Sequence, residues 1–556
     1  MPKPRIEAAR YDGGLMKASR KKLGIKSSHV RNVFLMLWVA VVAVGCSWAA
    51  GGSGAVKTAD GLVTGVPVTG ASVIAYEGIP YAATPVGALR WRPPQPAAAW
   101  SGVRRADHFA ASCMQTIRGE HLPWTSQFAV QNPISEDCLY LNVWSPDGGV
   151  GSRKRSPVLL WIHGGGFVEG SAAPEVYSGE ELAKRGVVVV SINYRLGVFG
   201  FLAHPELANE SPSHSSGDYG LMDVVAALRW VRENIAAFGG DPERVTIAGQ
   251  SSGAAAVIYM TASPLAKGLF QGAIIESGAY VTPPTTYSLK DAEEHGTVFA
   301  QSSGAATLKD LRALSAEELL AKQKASKVHF RPDVDGLFLP QNVAETFAAG
   351  KQNDVPTITG QTADEGSNAS SYGKTNVADY AKAAEKTYGA MREEYLRLYP
   401  GRTDAEAGES EKRRARDLNL VAMYLWTESR AATAHTASYT YFFDRAIPWP
   451  EHPEFGAFHA SEVPYALGNL GVLQRPFEPV DYSLEREMTG YWVQFLRSGD
   501  PNTKGLPLWP ASRKGQPVTM ELGVKVEPRP VANEEVFQFW KNYLATLQGF
   551  CCVPGR

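Results

Sequence analysis

The chain has 556 residues, 44 % of them hydrophobic and 20 % charged, ordinary proportions for a soluble globular protein with a large core. Its 55 basic and 56 acidic side chains leave a formal net charge of −1, so no field gathers nucleic acid or an anionic membrane. Neither an internal repeat nor a long low-complexity tract marks it as a fibre or an array.

The first 54 residues stand apart. Lys17, Arg20, Lys21, Lys22, Lys26 and Arg31 precede the apolar run Val33 to Gly45, and small residues follow. The run is too short for a bilayer span and reads as a secretory signal, cleaved after Ala49 or Ala50, with translation beginning at Met16. Ala43-Val44-Gly45-Cys46 resembles a lipoprotein box, with Ala43 where Leu is usual, which makes Cys46 a candidate lipid anchor. An uncleaved anchor is the bland alternative. Residues 1–54 are thus expected to be a signal and short linker, and the protein is expected to be exported, periplasmic or extracellular.

The first element of chemical interest is the buried-strand pattern Val158 to Ile162, which runs into His163-Gly164-Gly165-Gly166-Phe167. Three glycines after a strand leave backbone N–H groups unshielded, and such donors aimed at an oxyanion are worth about 3–4 kcal/mol each. A phosphate-cradling loop is the rival reading, but the Lys and Ser/Thr that complete one are absent. Val187–Ile192 reads as a further strand. Leu221 to Phe238 reads as an amphipathic helix, with Leu221, Val224, Val225, Leu228, Val231 and Ile235 on one core-facing stripe.

Val245 to Ala248 reads as a strand, followed by Gly249-Gln250-Ser251-Ser252-Gly253 and an apolar helix start. Strand, sharp turn and helix with a serine at the turn is the nucleophile elbow of a serine hydrolase, which pushes the serine oxygen out of the sheet. A glycine-rich turn capping a helix would give the same five residues, so the motif carries weight only through its surroundings.

After the strand pattern Ala273–Ile275, an acid and then a base should follow the serine. Pro356 to Gly360 reads as a strand and leads into Asp364 and Glu365, while Tyr439 to Phe443 precedes Asp444 and a loop carrying His452 and His459. Pattern alone leaves Asp364, Glu365 and Asp444 open as the acid, and favours His459 only modestly over His452. The less regular stretches Pro283 to Phe347 and Val377 to Thr433 read as helical excursions walling a gorge. Tyr424 and Trp426 are pocket candidates there, against the commoner reading of such aromatics as core.

Seven segments then resemble, in order, the type-B carboxylesterase family, which includes carboxylesterases, para-nitrobenzyl esterases and cholinesterases. They begin at Glu77-Gly78-Ile79-Pro80-Tyr81-Ala82 and Ser135-Glu136-Asp137-Cys138-Leu139-Tyr140-Leu141-Asn142. Trp161 to Phe167, Asn193-Tyr194-Arg195-Leu196-Gly197 and Phe238-Gly239-Gly240-Asp241-Pro242 follow, then Gly360 to Gly366 and Gly456 to Glu462.

The resemblance implies an α/β-hydrolase fold, with a large, mostly parallel central sheet flanked by helices, as one domain over about residues 55–550. It implies Ser251 as nucleophile, Glu365 as acid and His459 as base, with Gly165, Gly166 and Ser252 as oxyanion donors. Cys138 lies in the family's Ser-Glu-Asp-Cys segment, and Cys113 is its implied disulfide partner. Cys551 and Cys552, on a Gly/Pro-ended tail, read as free thiols. The implied partner is a small-molecule ester, with no metal or organic cofactor required, because the triad and backbone donors suffice for acyl transfer to water. Some relatives are adhesion or binding modules that have lost catalytic residues, and all three are present here. Amides or polyesters are the other alternative substrates. One departure stands out: Gln250 occupies the position before the nucleophile where the family usually carries Glu, which disfavours cationic substrates.

Overall fold

The computed structural model describes residues 54–151, 153–278 and 286–547. The expected N-terminal signal, Cys46, Cys551 and Cys552 lie outside the described residues.

Eleven strands form the central sheet: β1 (Val66–Pro67), β2 (Val73–Pro80), β3 (Tyr140–Pro146), β4 (Ser156–Ile162), β5 (Val188–Ile192), β6 (Gly240–Gln250), β7 (Gly272–Glu276), β8 (Thr357–Thr362), β9 (Ser438–Phe443), β10 (Val518–Leu522) and β11 (Val526–Pro530). Their spatial order is β11-β10-β9-β8-β7-β6-β4-β5-β3-β2-β1. From β5 through β4 to β10 every pairing is parallel, and antiparallel strands close both edges. This is an α/β-hydrolase architecture. The continuous apolar runs at 158–162 and 188–190 follow from it, because a parallel strand is covered on both faces and every side chain in these runs is buried.

Helices supply the cover. The stripe at 221–235 is buried in α1 (Tyr219–Asn234), which passes into a 3₁₀ turn over Ile235–Phe238. Gly239, at φ +83°, ends that turn in the left-handed region where glycine carries no Cβ penalty. The apolar helix α2 (Ser252–Ala262) buries every residue but Ala255 and packs on β6 and β7. The amphipathic α4 (Pro479–Ser498) packs on β4 and β6, and the 28-residue α3 (Asp404–Ala431) crosses near β8 and β9.

Register decides where the chemistry sits. Ile162 pairs with Gly249, Gln250 with Glu276, and Glu276 with Gly360. The carboxyl ends of β4, β6, β7 and β8 therefore align, and the loops at 163, 251, 277 and 363 emerge side by side. That end of an open parallel sheet is where ligands bind.

Candidate active site

Ser251 sits between β6 and α2 with φ +58° and ψ −123°, a region non-glycine residues rarely occupy and which costs on the order of 1–3 kcal/mol. The strain is held by Ser251 N–H donating to Glu276 O at 2.9 Å and by close packing behind the turn. A Cβ at Gly253 would lie 2.1 Å from the Ile162 carbonyl oxygen, so no other residue fits there.

The glycine loop follows β4. Gly165 has φ +110°, and a Cβ there would lie 2.1 Å from Glu169 O. Its carbonyl accepts from the N–H groups of Val168 and Glu169, both at 3.1 Å, so the loop folds back on itself. The Gly165 and Gly166 N–H groups meet no acceptor among the described residues, and both glycines line the same cavity as Ser251. Ser252 opens α2, and its N–H is one of those a helix leaves without an internal partner. His163 is buried, stacked on Tyr194 at 4.5 Å, and burial pulls its pKa down to about 4, so it is neutral.

His459 Nδ1 contacts Glu365 Oε2 directly. Glu365 Oε1 also accepts from Ser277 Oγ at 2.6 Å and from Thr362 N–H at 2.9 Å. Burial pushes the Glu365 carboxyl up, but His459 and these hydrogen bonds outweigh it and hold the group below its usual value. Burial likewise pulls His459 down, but Glu365, with Glu462 adding to it, leaves the imidazole above its usual value. The Gln250 amide nitrogen stands 3.1 Å from His459 Nε2 and 3.4 Å from Nδ1. With the Nδ1 proton directed at Glu365, Nε2 has a lone pair to accept that amide N–H. Among the described residues no hydrogen bond joins Ser251 Oγ to His459 in this resting arrangement.

The other acid and base candidates lie elsewhere. Asp364 accepts from Tyr372 O–H and Ala457 N–H, both at 3.0 Å, and pairs with Arg416. Asp444 sits by β10, and burial pushes its carboxyl up to about 6. His452 bonds Glu454 at 3.1 Å and packs on Trp449.

Sequence reasoning missed the layer behind Glu365. Ser277 reaches Glu462 as well, at 3.3 Å, and Trp492 N–H donates to Glu276 at 3.0 Å. Burial pushes Glu276 up to about 8, and burial with the neighbouring Glu276 and Glu365 pushes Glu462 well up. The signal was the position of Ser277, one residue past the carboxyl end of β7.

The cavity in front of Ser251 has a volume of about 430 Å³. Its described walls are the loop 115–130, the glycine loop and its continuation to Tyr177, with Asn368, His459 and Ala460. The excursions expected at 283–347 and 377–433 are largely helical, and none of their described residues is among these walls. Their buried side chains join the core of the sheet: Trp426 lies against Phe347 and the buried Tyr424 donates to Arg513 O at 2.7 Å. The loop 115–130 belongs to a segment closed by a Cys113–Cys138 disulfide. Among the described residues no group of three or more His, Cys, Asp or Glu could hold a metal, and no helix is long and apolar enough to cross a membrane.

Comparison with known proteins agrees with this geometry. Residues 52–540 match the carboxylesterase family. The fumonisin B1 esterase of Sphingopyxis macrogoltabida is 36 % identical over 493 residues, which span 83 % of this chain and 85 % of that protein. The para-nitrobenzyl esterase of Bacillus subtilis (strain 168) is 34 % identical over 509 residues, 87 % of this chain and 98 % of that one. A solved structure of PNB esterase superposes with a TM-score of 0.74 at 32 % identity, covering 87 % and 99 % of the two chains. The chain belongs to the carboxylesterase family and is an ester hydrolase.

Proposed function

We propose that hydrolysis proceeds through an acyl-enzyme on Ser251. His459 Nε2 takes the Ser251 proton as Oγ attacks the ester carbonyl, and the resulting oxyanion is received by the N–H groups of Gly165, Gly166 and Ser252. Collapse returns the proton to the leaving alcohol. Water then repeats the sequence, releasing the acid and restoring Ser251. Glu365 keeps the proton of neutral His459 on Nδ1 and stabilises the imidazolium. Gln250 must give up Nε2 when Ser251 engages it, a tightening common between free and substrate-bound enzymes. The observation that carries the reading is Ser251 held in its strained turn beside free N–H donors, with Glu365 on His459 in the same cavity. Ser251→Ala should lower turnover of a simple aryl ester by about three to six orders of magnitude with the fold intact. Covalent labelling of another serine by an organophosphonate would remove the assignment.

The substrates are neutral carboxylic esters of short to medium acyl chain. Gln250 leaves no ionised carboxylate at its position to attract a quaternary ammonium group, and apolar side chains such as Ile117 and Phe128 line the cavity. The enzyme is exported, a reading supported by the Cys113–Cys138 disulfide, which persists in oxidising compartments. Mass analysis of the mature protein tests this: an N-terminus near residue 50, or lipid-modified Cys46, supports export, and an intact N-terminus with reduced Cys138 refutes it.

A further inference from the structure

We propose that the disulfide-closed segment 113–138 is a strap that holds the oxyanion loop and the base in mutual register, with Gln115 and Trp124 as its positioning residues. The proposal rests on the reading of Ser251, His459 and Glu365 given above.

Gln115, buried two residues beyond Cys113, grips Gly170 from both sides. Its Oε1 accepts the Gly170 N–H at 2.8 Å, and its Nε2 donates to Gly170 O at 2.8 Å and to Cys113 O at 2.9 Å. Gly170 has no slack to absorb a shift. Its φ is +117°, and a Cβ would fall 2.3 Å from His163 Nδ1 and 2.4 Å from Gly164 O. His163 heads the glycine loop, and its carbonyl is fixed by Tyr194 O–H at 3.0 Å. Displacing Gly170 therefore displaces the loop that presents the Gly165 and Gly166 donors.

Trp124 makes the second attachment. Its indole N–H donates to the backbone carbonyl of His459 at 3.0 Å, and its ring stands perpendicular to the imidazole at a centroid distance of 6.4 Å. The neck of the strap is pinned by the disulfide and by pairing of Ser112–Cys113 with Ile134–Ser135. Between neck and tip the only helical element among the described residues is a 3₁₀ turn at Ser126–Phe128. The Arg118–Glu169 pair at 3.1 Å and Phe128 against Phe458 at 6.1 Å add to these two contacts, and each of the two lands on one half of the catalytic apparatus. Base and oxyanion donors come from loops almost 300 residues apart, and the strap ties both to one short covalent ring.

The test uses the disulfide-intact enzyme, with all rates expressed per site titrated by an aryl organophosphonate, so that misfolded molecules do not count. Gln115→Leu and Trp124→Phe should each lower kcat on a small aryl ester by about 10- to 100-fold, the range a misplacement near 1 Å produces, with KM within about twofold. For Gln115→Leu, affinity for a trifluoromethyl ketone, whose serine adduct presents an oxyanion, should fall in step with kcat/KM. For Trp124→Phe, a base loosened from Glu365 loses the interaction that raises it, so the acid limb of kcat/KM should move down toward the ordinary imidazole value. Gln115→Met, which keeps the length and removes all three hydrogen bonds, stands in if the leucine variant does not fold. Unchanged kcat and inhibitor affinity per titrated site would overturn the strap, as would a rise in KM alone, because both would mean that neither residue positions the apparatus. Wild-type labelling at a serine other than Ser251 would instead overturn the underlying reading and the strap with it.

Discussion

Glu365 and Asp364 are adjacent, and only their side-chain partners distinguish them. Asp364 joins its loop to Ala457, Tyr372 and Arg416, whereas Glu365 meets His459, Ser277 and Thr362. Which of two neighbouring carboxylates turns toward a histidine 94 residues later depends on the pairing of the two loops, including the bridge between Asp364 and Phe458, and no local pattern encodes that. Glu365→Gln should lower kcat by about three to four orders of magnitude through the wrong imidazole tautomer. Asp364→Asn should lower Tm while kcat per folded molecule stays close to wild type. The pH profile belongs to the same residues. A base must be neutral, and His459 is raised by Glu365, so activity should fall as pH drops through a value above the ordinary 6.5. Gln250→Glu puts a carboxylate beside Nε2 and should move that limb further up. An acid limb below 6.5 in the wild type would contradict the geometry.

At the scale of elements, helices and strands were legible where they carry their own signals. Apolar runs marked β4 and β5, and the 3.6-residue stripe marked α1. The excursion helices also have local starts, with capping boxes at Thr307, Ser315 and Asn342. What they pack against is a tertiary matter that no local pattern encodes. One feature of this region depends on pH. Asp218 and Asp333 are fully buried and Asp335 nearly so, Asp333 N–H donates to Asp218 at 3.2 Å, and both Asp333 carboxylate oxygens lack a partner among the described residues. Burial, Asp335 and Glu293 push the Asp333 carboxyl well up. Burial, Asp333 and Asp335 do the same to Asp218, and burial pushes Asp335 up to about 6 despite three backbone N–H donors. Folded-state values above the unfolded ones mean that the folded chain binds extra protons, so stability falls as pH rises above about 4. Asp333→Asn removes one of these charges and supplies a donor for Asp218. It should raise stability by about 1–3 kcal/mol at pH 8 and by less at pH 5, measured by denaturant titration at both values. Destabilisation at pH 8 would show that the cluster is satisfied as it stands.

Over the whole molecule, the sequence carried the fold through an elbow and a glycine loop, each confined to a handful of neighbouring residues. The contacts that bring distant loops together, Gln115 to Gly170 and Trp124 to His459, had no sequence signal because neither partner is unusual in its own surroundings. Charge is the other global property, and it bears on substrate choice. With 55 basic and 56 acidic side chains the molecule has almost no net field, so discrimination between a cationic and a neutral ester must arise at the cavity. There Gln250 is neutral, and the Arg118–Glu169 pair adds no net charge to the wall. Acetylthiocholine should therefore show a lower kcat/KM than the uncharged thioester in which a tert-butyl group replaces trimethylammonium. The ratio of the two should change by less than about twofold between roughly 20 mM and 500 mM salt, because long-range steering is screened over that range and a local preference is not. A ratio that favours the choline ester at low salt and collapses on adding salt would place the selectivity in a surface field instead. Gln250→Glu should move the ratio toward the choline ester at every salt concentration, because the new carboxylate acts within the cavity, where bulk ions screen it least.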